Sequence, residues 1–349
     1  MKITLNYDQL LTAIERCAKN LLVPYIISQP ALGKSAIVKE FAKRYNLKLI
    51  DLRLSSLEPV DVSGAITIGK DNLAHYVPFD VFPIQGSKLE PEYDGVCLFL
   101  DELSSAHKQV LAAAYRLILD RQVGQYPLMD NCIIIAAGNS ITDNAIANQL
   151  GTALQSRMVN LHLSVTAKSW ITSVAIPQGF DERIIAFIQS YPDMVNTFNP
   201  KLVEQTFSSP RTLEFASKLL SEIPKGEELE PITQALMLGS IGFEAGTALL
   251  SFLKVYEKIP SVDQIIDKPT TSAVVTESAE LQWAVMTSLL MHKDLNDIDN
   301  ISTYVERYPS HMQQFFFTHF VSRPDVADTQ LAYNIERKRK FKVGRELLS

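Results

Sequence analysis

Apolar positions over the first 165 residues fall into two alternating kinds of block: short continuous runs and longer stretches with helical spacing. Leu10, Leu11, Ile14, Cys17 and Ala18 recur on one face of a helix predicted over 7–20, with Asn20 as its stop. Tyr25, Ile26 and Ile27 read as a buried strand. Ile37, Val38, Phe41 and Ala42 then mark the inner face of a helix reaching about Tyr45. Runs at 47–52, 96–100, 132–137 and 158–163 complete five strands, with helices expected over 106–120 and 143–156 and a short extra strand at 122–128. Strands joined through helices by short connections predict an α/β fold with a mostly parallel sheet.

Residues 53–85 break this rhythm. Positions 58–61 read as a loop, and 65–77 alternate on either side of Gly69-Lys70-Asp71-Asn72 as a β-hairpin, either an insertion projecting from the body or an ordinary edge hairpin. After Val165 strand signals fade. Amphipathic helices are predicted over 180–190 and 211–220. One apolar helix is expected over 231–256, with Gly239, Gly242 and Gly246 on one side for a close crossing, then a polar connector at 259–278 and further helices over 279–348. The expected organisation is an α/β core at 1–165, a helical lid at 166–258 and a C-terminal helical region at 259–349.

Composition narrows the classes. The 349 residues are 46% hydrophobic, enough for full cores, and the net charge of −6 argues against a general nucleic-acid binder. Cys17, Cys97 and Cys132 have no metal or redox spacing, and the last two lie inside apolar runs, which reads as core packing. The N-terminus lacks a signal-peptide core and no apolar run approaches membrane-spanning length, so a soluble, cytoplasmic protein without a membrane partner is expected. The basic tail at 336–342 has Phe341 as its only aromatic and reads as a solvated helix end.

The chemistry gathers at strand ends. Ser28-Gln29-Pro30-Ala31-Leu32-Gly33-Lys34-Ser35-Ala36 follows a strand and opens a helix, the order a phosphate needs, because unpaired N–H groups and the positive dipole end lie at a helix start. Lys34 supplies a full charge for terminal phosphates and Ser35 a hydroxyl for Mg²⁺. Ser28 and Ala31 stand where such loops often carry glycine, so the loop is expected to close with negative φ at both. Asp101 and Glu102 end the third strand, placing one carboxylate for Mg²⁺ and one for the attacking water. Asn139 ends the fourth strand and can bond that water or a phosphate. Arg157 has no acidic neighbour within four residues, and Arg211 occupies a first helical turn against the dipole preference, behind Ser208 or Ser209 as cap and Pro210.

Together, SQPALGKS (28–35), the hairpin (65–77), VCLFLDE (96–102), AAGN (136–139), LQSRM (154–158) and SSPRT (208–212) resemble the AAA+ ATPases, and within them the MoxR-like branch with a hairpin inserted after the second strand. The resemblance covers roughly residues 5–255 and implies a parallel five-stranded P-loop core, a helical lid and a ring of most often six subunits. It implies ATP and Mg²⁺ as ligands, with Lys34 and Ser35 as Walker A, Asp101 and Glu102 as Walker B and Asn139 as sensor 1. Arg157 takes the role of trans arginine finger, with Arg116 or Arg121 as alternatives, and Arg211 that of sensor 2. It further implies ATP hydrolysis coupled to remodelling of a protein client, with a von Willebrand factor A domain protein as partner. A DNA-directed motor and a nucleotide-dependent interaction module with little hydrolysis are the alternatives.

Overall fold

The computed structural model of the chain describes residues 3–140, 150–201, 206–224, 227, 229–256, 259–276, 278–292, 294–323, 325–327 and 329–335. The predicted helix at 143–156 is therefore described only from residue 150, and the basic tail at 336–342 lies outside the described residues. The chain forms two compact units, Met1–Val165 with Phe198–Glu204, and Thr166–Thr197 with Gln205–Ser349.

The first unit is built on a parallel sheet. In chain order its elements begin with β1 (Thr4–Leu5), α1 (Tyr7–Lys19), β2 (Val23–Ser28), α2 (Lys34–Arg44) and β3 (Leu47–Arg53). They continue with α3 (Pro59–Ser63), the hairpin β4 (Ala65–Ile68) and β5 (Ala74–Val77), β6 (Gly95–Asp101) and α4 (Lys108–Leu119). A small hairpin, β7 (Gln122–Val123) and β8 (Tyr126–Pro127), leads to β9 (Cys132–Asn139), α5 (Thr152–Gln155) and β10 (Met158–Leu163). The main sheet has the order β1-β10-β2-β9-β6-β3, every pair parallel. It carries six strands rather than the five expected. β1 is only two residues long, too short for an alternation pattern, and it joins the edge through Leu5 opposite Leu163.

Both faces of the sheet are covered, which is why its strands are continuously apolar. The two-residue period sends Val96, Leu98 and Leu100 of β6 into a cluster with Val110, Ala114 and Leu117 of α4, and turns Cys97 and Phe99 to the other face. α1 and α2 pack together and against the sheet, burying Leu10, Ile14, Val38 and Phe41. Cys97 and Cys132 are buried, as expected of core thiols, and burial pushes the Cys132 thiol up to about 11.

Two local expectations are corrected. Residues 58–61 are not loop but the start of α3, where Pro59 sits at the first helical position and Asp61 accepts a hydrogen bond from the Glu58 N–H at 2.8 Å. The strand expected at 122–128 is instead the β7–β8 hairpin. The inserted β4–β5 hairpin forms its own two-stranded sheet, pairing Ile66 with Tyr76. It leaves Ile66, Ile68 and Leu73 exposed.

The described part of the second unit is helical: α6 (Ala167–Trp170) running into a π-helical turn at Ile171–Ala175, α7 (Glu182–Ser190), α8 (Pro210–Ser221), α9 (Pro231–Ile241) and α10 (Phe243–Tyr256). α11 (Val262–Asp267), α12 (Ala279–Met291), α13 (Ile298–Val305) and α14 (Ser310–Val321) follow. The single helix expected over 231–256 is two. Gly242 has φ +85°, and a Cβ there would stand 2.3 Å from the Thr206 carbonyl oxygen, so the chain turns at a position only glycine can occupy. The connector at 259–278 contains α11, capped by Ser261 and Gln264. Glu182 of α7 accepts hydrogen bonds from Tyr256 at 2.7 Å and Ser288 at 3.1 Å, tying α7, α10 and α12 together. No helix among the described residues is long and apolar enough to cross a membrane.

Candidate functional site

Parallel register brings the predicted residues to one sheet edge. β2 ends at Ser28 directly opposite Asn139, the last residue of β9, and β6, the next strand across, ends at Asp101. The chain then turns through Gln29–Gly33 into α2. Gly33 caps that helix with φ +89° and accepts its first hydrogen bond, from the Ile37 N–H at 3.1 Å.

Ser28 keeps a negative φ, as expected, but Ala31 does not: its φ is +61°. Closing the strand-to-helix turn places residues on both sides of Leu32 in the left-handed region. For alanine this costs roughly 1–2 kcal/mol, which the surrounding bonds must hold in place. One of those bonds is buried: the Tyr7 hydroxyl donates to the Leu32 carbonyl at 2.8 Å. Burial pushes the Tyr7 phenol far above its usual range, so it remains a donor at any physiological pH.

Lys34 is buried to 9% exposure, and its ammonium donates to Asn139 Oδ1 at 2.8 Å, Ser28 Oγ at 3.1 Å and the Gln29 carbonyl at 3.2 Å. Ser35 Oγ donates to Asp101 Oδ2 at 3.0 Å, and Asp101 Oδ1 accepts the Glu102 N–H at 2.8 Å. The chain leaves β6 through a left-handed Glu102, φ +57°, whose carboxylate accepts a hydrogen bond from Ser55 after β3. Ser104 holds the Asn139 N–H at 3.0 Å. Gly138 is required beside it, since a Cβ there would lie 2.3 Å from the Tyr25 hydroxyl and 2.7 Å from Ser104 Oγ. Pro30 and Leu32 lie in the loop itself, and Ala36 is exposed in the first turn of α2.

A hydroxyl and a carboxylate at hydrogen-bond separation, beside a buried ammonium and a helix start, form a donor set suited to Mg²⁺ and phosphate oxygens. The remaining predicted residues lie on other elements. Arg157 is exposed after α5. Its guanidinium lies 5.9 Å from the centre of the Tyr115 ring and donates to Tyr115 Oη at 3.3 Å and the Ala153 carbonyl at 3.2 Å. Arg116 is exposed with Asp120 at 3.8 Å, whereas Arg121 is turned inward onto the Cys132 carbonyl. Arg211 is exposed in the first turn of α8 in the second unit, behind Ser209, which caps that helix. Tyr7, Ser55 and Ser104, which brace the loop, Glu102 and Asn139, were not singled out from the sequence.

The parallel sheet, the glycine–lysine–serine turn between β2 and α2 and the acidic residues at the end of β6 make the first unit an α/β fold with a phosphate-loop-type turn at one sheet edge. No protein-family model and no curated protein matches the sequence. Among solved structures, NtrX from Brucella abortus is similar at 15% identity over 91% of this chain and 69% of its own, with a TM-score of 0.41. Its complex with ATP matches at 14% identity, 98% and 68% coverage and a TM-score of 0.39. A mutant of RuvB from Thermotoga maritima matches at 13%, 81% and 71%, with a TM-score of 0.34.

Proposed function

We propose that the chain is an ATP hydrolase of the ring-forming, MoxR-like type, which couples nucleotide turnover to remodelling or maturation of a protein client. One observation carries the reading: Lys34, Ser35, Asp101 and Asn139, from two strand ends and a helix start, are joined by hydrogen bonds of 2.8 and 3.0 Å at one edge of the sheet.

In this reading the N–H groups opening α2 and the Lys34 ammonium bind the β- and γ-phosphates of ATP. Ser35 Oγ and Asp101 Oδ2 would hold Mg²⁺, which when bound neutralises charge building on the phosphate oxygens. Glu102 orients the attacking water and takes its proton, and Asn139 bonds that water or the γ-phosphate. Arg157 is exposed and only lightly held, which suits donation to a neighbouring subunit's site. The exposed Ile66, Ile68 and Leu73 offer a client-facing apolar surface on the hairpin. A ring of six, a von Willebrand factor A domain partner and a cytoplasmic setting belong to the same proposal.

The test is ATP hydrolysis measured against protein concentration, with particle size followed with and without ATP. Turnover per chain is expected to rise with concentration as rings form, and Glu102→Gln to bind ATP without turning it over. Hydrolysis independent of concentration, or unchanged in Glu102→Gln, overturns the reading. ATP binding without hydrolysis in the assembled state supports the interaction module instead, and strong stimulation by DNA supports the motor.

A further inference from the structure

Two cavities lined by described residues of the second unit differ in character. One, of about 550 Å³, is lined by Glu182, Glu227 and Asp263, and its Arg183 is already bonded to Asp181 at 2.8 Å. The other is a groove of about 710 Å³ between the α6 segment and α14. That size is within the range of small-molecule sites. Its lining includes Lys168, His311 and His319 and not one carboxylate. Ile171, Ile176 and Phe315 supply an apolar floor, and Thr172 and Thr318 add hydroxyls.

We propose that this groove binds a small organic anion, a carboxylate or phosphate monoester carried on an apolar body. Three features converge on it. The first is charge: Lys168 forms no ion pair among the described residues, and the groove offers no internal counter-charge to any of its three basic side chains.

The second is the state of His319. Its Nδ1 faces the Phe315 carbonyl at 2.7 Å, and a carbonyl only accepts, so Nδ1 carries the proton and Nε2 is left with a lone pair. Burial, and after it the charge of Lys168, hold this imidazole below its usual range against the opposing pull of that carbonyl. Among the described residues lining the groove, the charged and titratable groups beside it are Lys168 from α6 and His311 from α14 itself; from α12, Trp283 packs edge-on to Phe315. An anion seated between Lys168 and His319 supplies the missing negative charge and lets Nε2 take a proton.

The third is the wall opposite α14. The helix widens there to a π turn, with the Ile176 N–H bonded to the Ile171 carbonyl at 3.0 Å, and Ile171, Thr172 and Ile176 of this stretch line the groove. Such turns are energetically poor and concentrate at functional positions.

The proposal stands apart from the phosphate loop, and its test separates the two. Calorimetric titration of the full chain with phenyl phosphate and with benzoate at pH 6.5 is expected to show saturable binding of one or both. Benzylammonium, the same ring with the opposite charge, is expected not to bind. Lys168 is exposed, so Lys168→Gln is expected to fold and to bind the anion at least tenfold more weakly. Lys34→Met, which removes the loop ammonium, is expected to retain it. In NMR titrations the His319 imidazole signals, assigned by their loss in His319→Gln, are expected to titrate at higher pH when the anion is bound. Equal affinity in Lys168→Gln, binding lost in Lys34→Met, or no binding of either anion overturns the proposal.

Discussion

Tyr7 and Leu32, 25 residues apart, are joined by a buried hydrogen bond of 2.8 Å from the phenol to the loop carbonyl. The tyrosine opens α1, and its hydroxyl oxygen also lies 3.3 Å from where a Cβ on Gly33 would stand. The first helix therefore braces the turn that leads into α2, at the peptide between two left-handed residues.

Tyr7→Phe tests that brace. It removes one oxygen, keeps the ring and leaves the Leu32 carbonyl without its partner, at a cost of about 1–3 kcal/mol. The melting temperature is expected to fall by several degrees and ATP affinity to fall several-fold, read by calorimetry and equilibrium binding. No change in either would show that the loop holds its shape unaided.

Ala31 adopts φ +61°. Ala31→Gly relieves roughly 1–2 kcal/mol of left-handed strain but gives back about 0.4–1 kcal/mol through a freer unfolded chain. A small net gain in urea midpoint is expected. Ala31→Val, branched at Cβ, is expected to lose more than about 1 kcal/mol. If both variants unfold at the wild-type midpoint, strain at this position is not a factor in stability.

Arg157→Ala removes only an exposed guanidinium with weak local bonds. Nucleotide affinity is expected to stay within about twofold while turnover falls ~10³-fold, the scale of a trans-acting arginine. Binding and single-turnover assays on the assembled protein separate the two quantities. Loss of affinity in place of turnover counts against the trans role and turns attention to Arg116.

His319 gives the second unit a pH dependence whose sign follows from its depressed pKa. The folded imidazole resists protonation, so the unfolded chain takes up a proton first as pH falls through about 6.5. The stability that the neutral ring contributes is present above that pH and is lost progressively below it. Thermal melts between pH 7.5 and 5.5 are expected to slope downward, and His319→Gln to flatten part of that slope. An identical slope in the variant would place the titrating group elsewhere.

How much of this was legible in the sequence divides along a physical line. Lys34, Ser35, Asp101 and Asn139 were readable because strand periodicity tells where each run ends, and a parallel sheet collects those ends at one edge. Tyr7, Ser55 and Ser104 were not. They act on Leu32, Glu102 and Asn139 across 25, 47 and 35 residues, by single hydrogen bonds that leave no period. The sign of φ at Ala31 was misread because propensity describes a free residue, whereas this one is held by its neighbours. The break at Gly242 was hidden because apolar spacing runs unbroken through it; only the approach of the Thr206 carbonyl shows why the helix ends there. The two-residue β1 carries too few positions to announce itself.

β2 is hydrogen-bonded along both edges, to β10 through Val23–Ile27 and to β9 through Tyr25–Ser28. Such a strand cannot slip along its own axis without tearing two ladders at once, so it behaves as an anvil, not a piston. Amide deuteration should reach Ile26 among the last positions in the chain. Any mechanical work begun beside Ser28 must then be delivered by whatever hangs from the sheet, while the sheet itself stands still.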